Sequence, residues 1–162
     1  MKWLRSGSKP IFLFYFVFFF FNANSQTLPS FTIHETNGKT VNSRSFIQNK
    51  PVVLIYFSPD CEHCTTLLKN VFRDIDQFKK ATLLLVSFLP IADVAAFAKK
   101  YNTNQYKNMI VGVEEPALFL KNLHHLNSTP FTELFDRDGR SVVSYKDETP
   151  VKDLIVHLKN IK

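Results

Sequence analysis

The sequence predicts an α/β fold in which helices cover a central sheet. Three observations point there. Residues 51–57 are a continuous apolar run of strand length, rich in β-branched and aromatic side chains, as strands buried on both faces are, and residues 81–89 repeat the pattern with Thr82 and Ser87 as the only polar members. Each run is followed by a segment with apolar residues at helical spacing, and this β-α-β-α alternation marks a sheet that is largely parallel. The only two cysteines, Cys61 and Cys64, fall at the first strand-to-helix junction. A length of 162 residues suits one domain, and an apolar content of 45 % with 4 Gly excludes a disordered or collagen-like chain. Two cysteines are too few for a disulfide-built mini-fold.

The first 25 residues hold Lys2, Arg5 and Lys9 but no acid, then an apolar run from Ile11 to Phe21 that carries seven of the 17 Phe. Ala23 and Ser25 are small residues at the −3 and −1 positions of a cut before Gln26. A basic start, a short apolar core and a small-residue cleavage site make a secretory signal peptide, so residues 1–25 are expected to be a signal peptide and residues 26–162 the domain. The apolar run is shorter than the roughly 20 residues of a membrane-spanning helix, which disfavours an anchor. Without the leader, 17 of the 20 basic residues remain against 14 acids, and the formal charge falls from +6 to +3. The basic doublets Lys79-Lys80 and Lys99-Lys100 sit at helix ends, where cations are ordinary. No basic stripe with interleaved aromatics suggests a nucleic-acid partner.

The elements of the mature chain follow in order. Alternating residues around Asn37-Gly38, over 31–41, predict a β-hairpin. A polar connection, 43–49, leads to the strand at 51–57. Ser58-Pro59-Asp60 ends that strand, and Leu67, Leu68, Val71, Ile75 and Phe78 give the next helix its inner face. The strand at 81–89 is followed by a helix over 91–101 and a short strand over 109–113. A helix over 115–126 is expected to turn Ala117, Leu118, Leu120, Leu123 and Leu126 inward. Strands over 131–135 and 140–145 flank the turn Asp136-Arg137-Asp138-Gly139, and an amphipathic helix over 150–161 closes the chain with Pro150 near its first turn.

The cysteines carry the chemistry. A thiol at a helix N-terminus faces unpaired N–H groups and the positive end of the helix dipole, which favour thiolate. Cys61 is the expected nucleophile, and Cys64, one turn in, is placed to resolve a mixed disulfide. Glu62 and His63 between them are expected to tune the redox potential with opposite signs. Competing readings are a zinc site completed by His124-His125, although adjacent helical histidines point apart, and a structural disulfide, although so short a loop would staple almost no chain. His34 and His157 stand alone and read as surface or packing residues. Asp136-x-Asp138-Gly139 is too short for a calcium loop. Phe57, Phe72, Phe88, Phe119 and Phe131 read as core.

The order of hairpin, apolar strand and Cys61-Glu62-His63-Cys64 resembles the exported thioredoxin-like redoxins of the TlpA/ResA group, and the likeness continues through Thr129-Pro130 to Gly139. It implies a thioredoxin-like fold: a central mixed sheet flanked by helices, with an N-terminal β-hairpin extension. It also implies that Pro130 is cis beside Cys61, and that the Thr129 backbone can pair with an extended substrate segment. Asp60 stands where thioredoxins usually carry Trp, and His63 where they carry Pro, as in oxidising DsbA-type motifs. Ile55 replaces the buried acid of thioredoxins, leaving Glu62 or water to take the Cys64 proton. Peroxiredoxins share the fold, but Leu54 occupies the proline position of their motif, while Ser58 fits it.

The expectation is therefore an extracytoplasmic thiol-disulfide oxidoreductase, periplasmic or extracellular, or membrane-anchored if the leader is retained. Its partners would be protein thiols and disulfides and an upstream redox protein, in the membrane or outside it, with no cofactor or metal and with the chain as a monomer. Reduction is favoured over oxidation because the whole-chain likeness is to the TlpA/ResA group. The alternatives are an inactive thioredoxin-fold interaction module and a peroxiredoxin-like peroxidase.

Overall fold

The computed structural model of the chain describes residues 26–162, so the expected leader lies outside the described residues. Seven strands form one sheet in the order β2-β1-β5-β4-β3-β6-β7. They are β1 (Thr32–Glu35), β2 (Thr40–Asn42), β3 (Val52–Tyr56), β4 (Thr82–Ser87), β5 (Met109–Glu115), β6 (Phe131–Phe135) and β7 (Ser141–Lys146). Only the β3–β4 and β4–β5 pairs are parallel. The hairpin β1–β2 joins the sheet through antiparallel β1–β5, and β6–β7 joins through antiparallel β3–β6. The sheet is thus mixed, as the resemblance implies, and less parallel than the β-α-β-α alternation alone suggests. The closing strands are linked by a tight turn, which permits only an antiparallel return.

The predicted hairpin turns through Thr36-Asn37-Gly38. Glu35 N–H donates to the Lys39 carbonyl at 2.8 Å, and Gly38 adopts φ +86. That left-handed position costs glycine least, which is why the Asn-Gly signal was informative. A second glycine seats the hairpin: a Cβ on Gly112 would lie 2.5 Å from the His34 carbonyl oxygen and 2.7 Å from Ile33 Cγ2. The bare backbone of β5 lets β1 come close.

The two faces of the sheet are covered differently. Three helices, α1 (Glu62–Arg73), α2 (Ile91–Lys100) and α4 (Val151–Asn160), pack one face. Leu67, Leu68, Val94, Phe97 and Leu154 meet Val53, Ile55, Leu83 and Leu85 there. Each helix presents an apolar stripe, as its spacing predicted. The other face lies under the segment containing Leu28 and Phe31, the 3-10 helix Ser43–Phe46 and the short helix α3 (Phe119–Leu123).

The largest correction concerns the helix expected over 115–126. Glu115 remains in β5 opposite Thr32, Pro116 follows through a cis bond, and Leu118 takes φ 62 ahead of a five-residue helix. Leu120 and Leu126 are buried, but Ala117, Leu118 and Leu123 are exposed. A proline after the strand and a left-handed residue leave only one turn, so the amphipathic pattern has no helix long enough to express it. The first helix also ends at Arg73, and Ile75 and Phe78 lie on a separate 3-10 turn.

Candidate active site

Strand β3 is buried along its whole length, and it delivers Ser58-Pro59-Asp60 to the end of the sheet where the parallel strands finish. Cys61 N–H donates back to the Ser58 carbonyl at 3.1 Å. The chain then enters α1 with Cys61 as its N-cap, and Cys61 Sγ accepts the Cys64 backbone N–H at 3.3 Å. A sulfur takes the place usually held by a serine or aspartate oxygen, and it faces the helix's unpaired donors.

The loop before β6 closes the site. The Thr129–Pro130 bond is cis, and as a thiol Cys61 donates to the Thr129 carbonyl at 3.3 Å. The Pro130 carbonyl accepts Asp147 N–H at 3.0 Å, and Ser128 Oγ binds the Asp147 carboxylate. The loop is therefore tied to the chain just beyond β7. Among the described residues the Thr129 backbone N–H has no hydrogen-bond partner.

The two thiols differ in their acid strength. Burial works against a charged Cys61, but hydrogen bonds from the Cys64 thiol and backbone, the Thr129 side chain and the His63 N–H outweigh it. Its pKa is held below the ordinary thiol value. Cys64 is 1 % exposed. Burial first, then its hydrogen bond to Cys61 and the charge there, push the Cys64 pKa up to about 12. Of the two sulfurs, Cys61 is the one that gives up its proton more readily. Both cysteines are free.

Cys61, Cys64, Thr129 and Pro130 are brought together, while Glu62 and His63 are exposed in the first turn of α1. Their side chains line a cleft of about 330 Å³ shared with Pro130, Asp147 and Glu148. A second cleft, also about 330 Å³, lies beside Cys61 and is lined by Tyr56, Phe88, Lys121 and Thr129. Among the described residues no group of three or more His, Cys, Asp or Glu could hold a metal ion. His124 is buried, with its Nε2 3.7 Å from the Glu133 carboxylate, and His125 is exposed at φ 50. His34 pairs with Glu115 at 2.7 Å, and His157 lies 3.7 Å from Asp153.

The sequence reading missed Tyr56 and Glu114. The Tyr56 hydroxyl donates to Glu114 Oε1 at 2.6 Å, and Glu114 Oε2 accepts the Leu120 N–H at 2.8 Å. One buried carboxylate thus holds a wall residue of the Cys61 cleft and the start of α3. Burial raises the Glu114 pKa against the hydrogen bonds from Tyr56, Leu120 and Leu118, and burial with the same contact raises that of Tyr56. The available signal was a tyrosine inside an apolar strand, whose hydroxyl needs a partner from a neighbouring strand.

A family model described as the AhpC/TSA family matches residues 25–148. No curated protein matches the sequence. Among solved structures, a Bacteroides thetaiotaomicron protein provisionally named a protein disulfide isomerase is 22 % identical, with a TM-score of 0.69 over 85 % of this chain and 88 % of that one. The exposed lipoprotein thioredoxin of Streptococcus pneumoniae is also 22 % identical, with a TM-score of 0.61 over 81 % and 98 %. A secreted disulfide oxidoreductase of Mycobacterium tuberculosis is 17 % identical, with a TM-score of 0.65 over 80 % and 94 %. At these identities the likeness establishes the thioredoxin-like fold. Among the described residues no helix is long and apolar enough to cross a membrane.

Proposed function

The chain belongs to the AhpC/TSA family, and on that premise we propose that it exchanges a Cys61–Cys64 disulfide with protein substrates outside the cytoplasm, reduction being the favoured direction. The observation that carries the reading is the asymmetry of the two thiols. Cys61 thiolate attacks a substrate disulfide, forming a Cys61–substrate bond and releasing one substrate thiolate. The Cys64 proton passes to that leaving thiolate or to water, since Ile55 replaces the acid expected on β3 and Glu62 lies on the exposed first turn. Cys64 thiolate then attacks Cys61 Sγ, releasing the second substrate sulfur and leaving the Cys61–Cys64 disulfide. One disulfide is reduced as one dithiol is oxidised, and an upstream thiol donor restores the pair.

The free N–H of Thr129 and its carbonyl beside Cys61 suit pairing with an extended substrate segment. Glu62 and His63 are assigned to tuning the potential. Export rests on the leader-like residues 1–25, supported by the secreted and exposed proteins among the structural relatives.

Titration of the purified chain against glutathione buffers tests this. A potential within about −270 to −120 mV is expected. Cys61→Ser should reduce turnover of a model protein disulfide to the buffer rate, and Cys64→Ser should accumulate the mixed disulfide. A pair that glutathione cannot reduce would favour the interaction module. Rapid hydrogen peroxide consumption that survives Cys64→Ser would favour the peroxidase.

A further inference from the structure

The strands give the domain two ends of opposite charge. Cys61 lies where the parallel strands finish, and the clefts around it are lined by Asp60, Glu62, Asp147 and Glu148 against one lysine, Lys121. At the other end Lys50 precedes β3, Lys79 and Lys80 precede β4, and Lys107 precedes β5. Arg137 in the β6–β7 turn and Lys159 at the end of α4 reach the same place. One cleft of about 510 Å³ is lined by Lys50, Lys79, Lys80, Arg137 and Lys159, together with the apolar Pro51, Leu158 and Ile161. An adjoining cleft of about 470 Å³ brings Lys107 to Lys50 and Lys79.

Acids offset this end only in part, although Asp136 and Asp138 flank Arg137 and line a neighbouring cleft with it. Asp76 pairs with Lys79 and Asp138 with Arg140, while Asp136 accepts the backbone N–H groups of its own turn. Lys50, Lys80, Lys107, Arg137 and Lys159 are all exposed, and none has an acidic partner among the described residues. The helix-end lysines that seem ordinary one by one in the sequence are gathered by the topology onto one surface.

The chain leaves the described domain at this end. The Gln26 carbonyl accepts Ser141 N–H at 2.6 Å, Thr27 bridges to Arg140, and Leu28 N–H donates to the Gly139 carbonyl at 2.8 Å. Gln26, to which the leader-like sequence with its eleven-residue apolar run and three further cations is joined, is thus held at the start of β7, beside the β6–β7 turn that carries Arg137.

We propose that the basic end is a docking surface for an anionic phospholipid bilayer, holding the domain with Cys61 turned away from the membrane. Lysines gain from a negative lipid surface within a Debye length of it, and the apolar floor of the larger cleft suits the interfacial layer. A lipid surface is preferred to a nucleic acid because the apolar segment joins the domain here. The five cations belong to the domain, while the choice of lipid over nucleic acid rests on the apolar segment.

Vesicle co-sedimentation of the full chain tests it, with phosphatidylcholine alone against phosphatidylcholine containing about 30 % phosphatidylglycerol. Binding to the anionic vesicles should be at least about tenfold tighter at roughly 0.1 M salt and should weaken as salt rises. The variant Lys50→Glu/Lys80→Glu/Lys159→Glu should lose that preference, whereas Arg44→Glu/Lys69→Glu/Lys152→Glu, with the same charge change elsewhere, should retain most of it. Cys61 should be alkylated by a soluble maleimide equally fast in bound and free protein. Equal binding to both vesicle types, an anionic preference that salt does not weaken, or equal losses in the two triple variants would overturn the docking surface. Tighter binding to a DNA duplex than to the vesicles would overturn the choice of lipid, and slowed Cys61 alkylation would overturn the orientation.

Discussion

The two faces of the sheet solve the same burial problem with different materials. Under α1, α2 and α4 the contact is made by apolar side chains, with Cys64 among them, and the helices satisfy their own backbone groups internally. The opposite face lies under short, irregular segments with few internal hydrogen bonds, and there buried polar groups accumulate. Glu114 caps α3 and holds Tyr56, while Glu133, 1 % exposed, accepts Ser141 Oγ at 2.5 Å. Among the described residues, the other Glu133 oxygen and His124 Nε2 have no hydrogen-bond partner. A thin irregular layer recruits buried carboxylates where a helical layer needs none.

The largest effect is expected on the helical face. Leu68→Ala should remove about 3 kcal/mol by opening a cavity between α1 and the sheet, read as a fall in the urea midpoint. Glu114→Ala should cost about 2 kcal/mol, because it strands the Tyr56 hydroxyl and the Leu120 N–H, and Tyr56→Phe should cost less. If Glu114→Ala proves neutral in urea unfolding, that carboxylate is not what holds the thin layer.

The smallest effect sharpens the contrast between the two acids. Burial raises the Glu133 pKa against its hydrogen bond from Ser141, so the folded state prefers the protonated acid. Its contribution is complete below the usual unfolded carboxylate pKa and is lost as pH rises through the raised folded value. Glu133→Gln has no proton to lose, so its stability relative to the parent should improve as pH rises above the usual carboxylate range. His124 has the opposite slope. Burial, then the charges of Lys146 and His125, lower its pKa, and stability is lost as pH falls from the usual histidine value through the lowered one. Unfolding midpoints of the parent, Glu133→Gln and His124→Gln across this range separate the two slopes, and parallel curves for all three would show that neither group titrates on folding.

The same division decides how much the sequence could disclose. The helical face was legible because Leu67, Leu68 and Val71 repeat at a helical period and residues 52–56 form an unbroken apolar run. The N-cap position of Cys61 followed from the strand break before it. The thin face was not legible. Leu118 and Leu123 fit an amphipathic pattern yet are exposed, because the backbone at Pro116 and Leu118 stops the helix from starting sooner. Glu114 finds Tyr56 from 58 residues away, a pairing that no local period announces. The place where the N-terminal hairpin joins was hidden for a similar reason, since β1 lies beside β5, far ahead in the chain, whereas the antiparallel closing pair was legible from its turn.

Gly112 shows what such long-range docking asks of mutation. The space a methyl group needs there is already filled by the main chain of another strand, and a main chain cannot rotate aside as a side chain can. A saturation library selected for folded protein should therefore return glycine almost alone at this position, which touches neither cysteine. That intolerance would look like catalytic importance in a mutational map, although its origin is the width of a backbone.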